Sequence, residues 1–248
     1  MIVTRARVVA AEELLLPYVR LTLDAPELSE RPRPGQFLMA QCGDGLDPFL
    51  PRPFFAAGAR DGGRFDLLVA AAGKGSDWLA QRRAGDTLQA VGWCGRGVAP
   101  APGTRHLLLG AAAVEIAALL LLVEQAIARG LSVTLVTAPA GGLPPYPPGL
   151  LPPEVEVEVA ADPGPALAAA LVERIGWADE AFVCGDEALL RALSAGRLRL
   201  QSRTPVWAQR WQRLPCGTGL CMACPVETRR GTRLLCSDGP WFALRDLA

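Results

Sequence analysis

The first part of the chain alternates short apolar runs with turns. Clusters of proline and glycine separate five such runs, at residues 7–10, 19–23, 36–40, 65–70 and 87–91. Short apolar runs at this spacing are typical of an antiparallel β-barrel or sandwich. Residues 76–83 interrupt them and predict a single helix. We therefore expect residues 1–100 to form an antiparallel β-barrel domain.

The pattern changes its period in residues 101–200, where strand-like apolar runs and helical stretches alternate. The predicted strands lie at 106–109, 133–137, 155–159 and 181–184, and the predicted helices at 114–129, 164–173 and 186–193. Strands that alternate with helices indicate a doubly wound parallel sheet. The expected fold class is therefore an antiparallel β-barrel, then an α/β domain, with a small third domain in residues 201–248.

Four of the seven cysteines crowd into the last of these regions. They are spaced as Cys216-x4-Cys221-x2-Cys224-x11-Cys236, and the first three share a loop rich in glycine and small residues. C-x4-C-x2-C…C is the plant-type ferredoxin arrangement for a [2Fe–2S] cluster. A structural zinc site usually has two CxxC pairs, and only one is present here. The spacing favours [2Fe–2S] with these four ligands, and zinc remains the alternative.

The charge balance excludes some classes of partner. The chain has 25 basic and 25 acidic residues, whereas a general nucleic-acid binder needs an excess of Lys and Arg. No signal peptide is visible near the N-terminus. The apolar stretch 107–123 carries Glu115 at its centre, and a charge there costs about 2.5–3.5 kcal/mol in a bilayer. We expect a cytoplasmic protein with no nucleic-acid partner and no membrane span.

Two short motifs in the first region could hold a flavin beside such a cluster. Arg52 offers a bidentate grip on phosphate, and Phe54 has a flat face for the flavin ring. The sequence Gly73-Lys-Gly-Ser76 opens the predicted helix, and helix starts bind phosphate groups. Each motif alone is weak, since a Gly-x-Gly-Ser is usually an ordinary turn. The candidate residues from these motifs are Arg52, Pro53, Phe54, Phe55, Gly75 and Ser76.

Taken together, the chain resembles the electron-transfer subunit of heteromeric dihydroorotate dehydrogenase, within the ferredoxin–NADP reductase superfamily. The resemblance covers essentially the whole chain and includes Arg52-Pro-Phe, Gly73-Lys-Gly-Ser-Asp-Trp-Leu, Gly85-Asp-Thr-Leu, Cys184-Gly-Asp-Glu, the cysteine loop and Cys236-Ser-Asp-Gly-Pro-Trp-Phe. It implies an FAD-binding barrel in 1–100, a nucleotide-binding-like α/β domain in 101–200 and a [2Fe–2S] domain in 201–248. It also implies a partner subunit that contains FMN and oxidises dihydroorotate, in a pair of heterodimers.

The second domain departs from the family's glycine-rich nucleotide turn. Residues 111–118 read Ala-Ala-Ala-Val-Glu-Ile-Ala-Ala, without a glycine. A Cβ removes the room that a cofactor's backbone contact needs. A carboxylate such as Glu115 about 5 Å from a pyrophosphate costs roughly 3 kcal/mol at an effective dielectric near 20. We therefore expect this domain to keep its fold without using NAD(H), and electrons to leave to another acceptor.

The flavin region departs from the family as well. Phe55 stands where related flavoenzymes often place a serine that bonds the ring, and Val69, Ala70 and Ala71 replace an aromatic and an arginine. These substitutions leave two versions of the electron path open. In one, FAD links the cluster to the acceptor. In the other, the cluster alone connects the partner's FMN to an outside acceptor.

The predicted function is an electron-transfer subunit of an oxidoreductase in pyrimidine biosynthesis. The catalytic base for dihydroorotate is expected on the partner, so this chain alone should not oxidise it. One alternative is a structural or regulatory subunit that holds zinc or lacks a working flavin. Another is a reductase subunit of similar build that serves a different substrate, such as sulfite or hydrogen.

Overall fold

The computed structural model describes residues 2–28, 30–43 and 45–247. It contains a closed six-stranded barrel, a six-stranded sheet and a separate two-stranded hairpin. This architecture confirms the predicted fold class of a barrel, a mostly parallel α/β sheet and a small C-terminal part. Within the described ranges, no helix combines the length and apolar character that crossing a bilayer requires.

The first six strands form the barrel, in the order β1-β2-β5-β4-β3-β6 with β1 pairing back to β6. Leu21, Leu67 and Phe65 fill its interior, because alternate residues of each strand point inward. A short helix, α1 (Lys74–Ala80), follows β5. The strands are β1 (Ile2–Glu13), β2 (Tyr18–Asp24), β3 (Phe37–Ala40), β4 (Arg52–Ala59), β5 (Arg64–Ala70) and β6 (Thr87–Cys94).

The central sheet has the order β14-β11-β10-β7-β8-β9, and only β14 runs antiparallel to its neighbour. Leu107 and Leu109 share a core with α2 on one face, and Leu108 shares a core with α3 and α4 on the other. The strands are β7 (His106–Ala112), β8 (Ser132–Ala138), β9 (Val155–Val159), β10 (Glu180–Cys184), β11 (Val206–Gln209) and β14 (Trp241–Ala243). The helices are α2 (Ala117–Ala128), α3 (Pro165–Arg174) and α4 (Glu187–Arg199).

The C-terminal segment is joined to this sheet rather than separate from it. Both β11 and β14 lie beyond residue 200 and belong to the sheet. Between them come the cysteine loop, a hairpin of β12 (Pro225–Thr228) and β13 (Gly231–Leu234), and the one-turn helix α5 (Leu235–Asp238). The sheet therefore extends past the range 101–200, because β14 returns to pair with β11 after the hairpin.

The structure places the Arg52 motif in a strand and corrects one helix boundary. The segment from Arg52 to Phe55 begins β4, where Phe54 lies opposite Leu38 of β3. The helix predicted from residue 114 begins at Ala117, after a 3₁₀ turn at Ala113–Ile116. The alanine-rich sequence favours helix, but the tight exit from β7 delays its first regular turn.

Candidate functional site

The four C-terminal cysteines lie in two pairs. The Sγ atoms of Cys224 and Cys236 are 3.3 Å apart, and both residues are buried. Cys216 is half-buried and Cys221 is exposed, and Cys221 helps to lower the pKa of the Cys216 thiol. Over the part of the chain that the structure describes, no three His, Cys, Asp or Glu side chains are grouped to hold one metal ion. The arrangement is thus an outer and an inner sulfur pair.

Backbone N–H groups of the cysteine loop point at these sulfurs. Thr218 N–H donates to Cys216 Sγ at 3.4 Å, and Gly219 N–H donates to Cys236 Sγ at 3.1 Å. Gly217 and Gly219 make this possible, because their φ angles of +73° and +82° are costly for residues with a Cβ. The loop therefore brings cysteine sulfurs and backbone N–H donors together.

Cys216 and Cys236 differ in their acidity. Burial raises the pKa of Cys216, but hydrogen bonds from Thr218 and Cys221 outweigh it and bring the value to about 6. Burial, followed by the adjacent Cys224, raises the pKa of Cys236 to about 12. Because metal ligands must be deprotonated, a metal that binds Cys236 displaces the proton of its thiol.

The cysteine loop packs directly against the barrel. A Cβ on Gly217 would lie 2.3 Å from Met39 Cγ and 3.1 Å from Cys94 Sγ. Cys224 and Cys236 share a buried cluster with Phe37, Met39 and Cys94 of β3 and β6. Burial raises the pKa of the Cys94 thiol to about 12, and the nearby Cys216 contributes to that rise. A group held by the four cysteines would therefore lie next to the barrel.

The predicted phosphate-binding residues of the barrel come together. A Cβ on Gly75 would lie 2.9 Å from Arg52 Cγ, so the arginine stem crosses the first turn of α1. Ser76 Oγ accepts from Ala72 N–H and donates to Gly73 O, both at 3.0 Å, which closes this turn. Arg52, Gly75 and Ser76 are thus neighbours, as a site for a flavin's phosphate groups requires.

The residues predicted to surround the flavin ring point in different directions. Phe54 packs on the barrel core, whereas Phe55 lies on the opposite side of β4, with Pro53 between Arg52 and Phe54 in the strand. Phe55 is 5.5 Å from Trp211 and 5.8 Å from Phe37, measured between ring centroids. Val69 faces the barrel core, Ala70 faces the central sheet and Ala71 is exposed.

Sequence reasoning missed Trp211, which packs on Phe55 and stands five residues before Cys216. Its position in the sequence gave one signal, because an aromatic residue just ahead of the first ligand is well placed to connect the loop to the barrel. Phe55 also packs against two hydrophobic cores. One lies between the barrel and the central sheet, and the other surrounds the cysteine loop. Any ring that binds along β4 on this side meets an aromatic surface and finds no hydroxyl at position 55.

The turn after β7 is acidic and contains a strained alanine. Ala113 has a φ of +44°, in the left-handed region that favours glycine. Glu115 is exposed, yet desolvation by neighbouring atoms raises the pKa of its carboxyl, and the nearby Asp186 raises it further. Burial and Glu115 together raise the pKa of the Cys184 thiol. Glu115, Cys184 and Asp186 therefore meet at the carboxyl ends of β7 and β10.

Comparison with protein families places the cysteine segment. Residues 212–248 match the family model described as the iron–sulfur cluster binding domain of dihydroorotate dehydrogenase B. The electron-transfer subunit of dihydroorotate dehydrogenase B (NAD(+)) from Bacillus caldolyticus is 30% identical, over 96% of this chain and 96% of that one. The corresponding subunit from Desulforamulus reducens is 27% identical, over 90% of this chain and 89% of its own length.

Solved structures show the same fold. The NADH-dependent reduced ferredoxin–NADP oxidoreductase has a TM-score of 0.79 at 21% identity, over 98% of this chain and 89% of that one. Phthalate dioxygenase reductase has a TM-score of 0.61 at 19% identity, over 82% of this chain and 66% of the other. At these identities the likeness concerns the fold alone.

Proposed function

Because the chain belongs to the family of electron-transfer subunits of dihydroorotate dehydrogenase B, we propose that it carries electrons from a catalytic subunit containing FMN to an acceptor other than NAD. The observation that carries the proposal is the loop of four cysteines in two pairs, packed against the barrel. In this proposal the partner oxidises dihydroorotate in pyrimidine biosynthesis. This chain relays the electrons and supplies no catalytic base.

The cysteine loop fits a [2Fe–2S] cluster, which takes up and returns one electron at a time. In our assignment Cys216 and Cys221 bind one iron, and Cys224 and Cys236 bind the other. Thr218 and Gly219 donate backbone N–H groups to two of these sulfurs, which stabilises their negative charge. The outer pair faces solvent, where a partner can approach, and the inner pair faces the barrel.

The barrel residues fit the phosphate end of FAD, which supplies an exchange of one or two electrons when bound. Arg52 would pair with the phosphates, because its stem is already fixed over Gly75. Ser76 holds the adjacent backbone in place through Ala72 and Gly73. Phe55 and Trp211 would present an aromatic surface between the flavin region and the cysteine loop. We include FAD in the proposed relay on these grounds.

The turn after β7 supports an acceptor other than NAD. The Cβ of Ala113 occupies a left-handed turn that glycine would leave open. Glu115 and Asp186 place two carboxyl groups at the edge where the family's cofactor pyrophosphate would lie, and like charge at short range opposes binding. A quinone, a ferredoxin or a further protein could accept electrons without placing a pyrophosphate at this turn.

The first test is the absorption spectrum of the anaerobically purified chain, with iron, sulfide and flavin assayed after denaturation. Two irons, two sulfides and one FAD per chain are expected. Iron and sulfide without flavin would overturn the FAD assignment and leave the cluster relay. Zinc in a colourless protein would overturn the electron-transfer function and favour a structural subunit.

The second test is a titration of the chain with NADH, alone and after co-expression with an FMN-containing dihydroorotate dehydrogenase subunit. The complex should be reduced by dihydroorotate, while micromolar NADH should leave the flavin and the cluster oxidised. Rapid bleaching by NADH would contradict the proposed acceptor but not the cluster. Failure of dihydroorotate to reduce the complex would contradict the proposed partner.

A further inference from the structure

A cavity of about 890 Å³ lies beside the β14 edge of the central sheet, at the start of β11. The segment after β6, the end of α4, the β12–β13 hairpin and the residues after β14 form its walls. None of the residues at the acidic turn, Ala113, Glu115, Cys184 or Asp186, lines it. The cavity is therefore separate from the nucleotide edge of the sheet and from the four cysteines.

The lining of this cavity is strongly basic. Two aspartates there engage two of the arginines: Arg96 Nη2 is 3.6 Å from Asp238 Oδ1, and Arg230 Nε is 3.4 Å from Asp246 Oδ2. For the other four arginines, no carboxylate in the described part of the chain lies within 4.0 Å. The chain as a whole is neutral, so this local excess is a feature of the cavity. The six arginines are Arg96, Arg197, Arg203, Arg230, Arg233 and Arg245.

Arg197 provides a second, independent observation. Its Nη2 donates to Thr204 O at 2.7 Å, which fixes the guanidinium. Its Nε is buried and has no hydrogen-bond partner among the residues described. Burial lowers the pKa of Arg197, and the like charge of Arg245 lowers it further. Arg197 and Arg245 both line the cavity, and an anion bound there would offset the repulsion between their positive charges.

We propose that this cavity binds a small ligand that carries a diphosphate or longer phosphate chain. Several arginines can each hold phosphate oxygens through paired N–H groups, and here they converge from separate segments. The volume lies within the range of about 300–1,000 Å³ that is usual for small-molecule sites. Trp207 and Trp241 form part of the wall, so both a nucleoside diphosphate and inorganic diphosphate fit the chemistry.

Isothermal titration calorimetry of the full, cluster-loaded chain tests the proposal, with pyrophosphate, ADP and adenosine as probes. Pyrophosphate and ADP should bind, and adenosine should not. Tighter binding of ADP than of pyrophosphate would identify a nucleotide, and equal binding would identify the phosphate chain alone. Absence of binding by both would overturn the proposal. If poly-glutamate bound while the diphosphates did not, the proposal would also be overturned, because the arginines would then form a binding surface for an acidic protein.

Paired variants locate the site. Arg233 and Arg245 line the cavity and are exposed, so the double variant R233Q/R245Q should fold normally. It should weaken pyrophosphate binding about tenfold or more, because hydrogen bonds to a charged group are lost. R199Q is the matched control, because Arg199 lies on α4 outside this cavity. Its affinity should match that of the unmodified chain. An equal loss in R199Q would show diffuse attraction and contradict a built site.

Discussion

The cysteine loop and the turn after β7 both contain backbone in the left-handed region, but they achieve it with different residues. The loop uses Gly217 and Gly219, at φ values of +73° and +82°, and directs N–H groups at sulfur. The turn uses Ala113 at +44°, with Glu115 beside it. The loop places backbone N–H donors beside its sulfurs, with no Cβ at the two glycine positions. The turn places a Cβ and a carboxyl group on the same kind of backbone.

This difference has a physical cause. A cluster site fails when one thiolate or one crowding Cβ is changed, so its residues are closely constrained. A strand-to-helix turn without glycine still supports the sheet here, because the alanines of residues 111–118 are buried. The packing of the central sheet against α2 thus supports this part of the fold.

The largest expected effect is at the inner sulfur pair. C236S should abolish or strongly reduce the visible absorption of the cluster, because it removes a buried ligand 3.3 Å from Cys224. Iron and sulfide per chain give the measurement. C42S is the matched control, since Cys42 is a buried thiol of the barrel core. It should keep full iron content. Full iron content in C236S would refute the proposed ligand set.

The next effect is at the contact between loop and barrel. G217A places a Cβ 2.3 Å from Met39 Cγ at a φ of +73°, and the combined crowding and strain should cost about 2–4 kcal/mol. The urea midpoint of unfolding measures this loss. G231A is the control, because Gly231 has a φ of +94° but no atom within 4 Å of its Cβ position. Similar losses in both variants would mean that the loop does not pack on Met39.

Much of this comparison could be predicted from the sequence. The alternation of apolar positions identified the barrel and the parallel sheet, and the spacing of the cysteines indicated the ligands. The direction of Phe55 could not be predicted, because it depends on the register of β4 against β3 and on contact with Trp211. The arginine cavity was also hidden, since its residues are scattered between positions 96 and 245 and only the return of β14 to the sheet brings them together.

A smaller effect is expected at the acidic turn. E115Q removes one negative charge next to Asp186 and should raise the affinity for NADH about tenfold. The reason is that the Glu115 carboxylate no longer repels the pyrophosphate of NADH, and tenfold is a modest part of that Coulomb repulsion. Fluorescence titration with NADH measures the change. E154Q, a neutral substitution of an exposed residue before β9, should leave the affinity unaltered. No gain in E115Q would show that the Cβ groups, and not the charge, exclude the nucleotide.

The smallest effect is at Ala113 itself. A113G relieves left-handed strain of about 1–2 kcal/mol. It also loses a buried methyl group worth about 0.8 kcal/mol and adds glycine's freedom in the unfolded chain, worth about 0.5–1 kcal/mol, so the free energy of unfolding should change by less than about 1 kcal/mol. A112G is the adjacent control: Ala112 is equally buried, but its φ of −99° is unstrained. That variant should lose about 1–2 kcal/mol, from the methyl group and from glycine's greater freedom in the unfolded chain. Urea unfolding separates the two, and equal losses would mean that Ala113 carries no strain. The predicted gap would instead show that Ala113 is held in a backbone conformation that glycine adopts at lower cost.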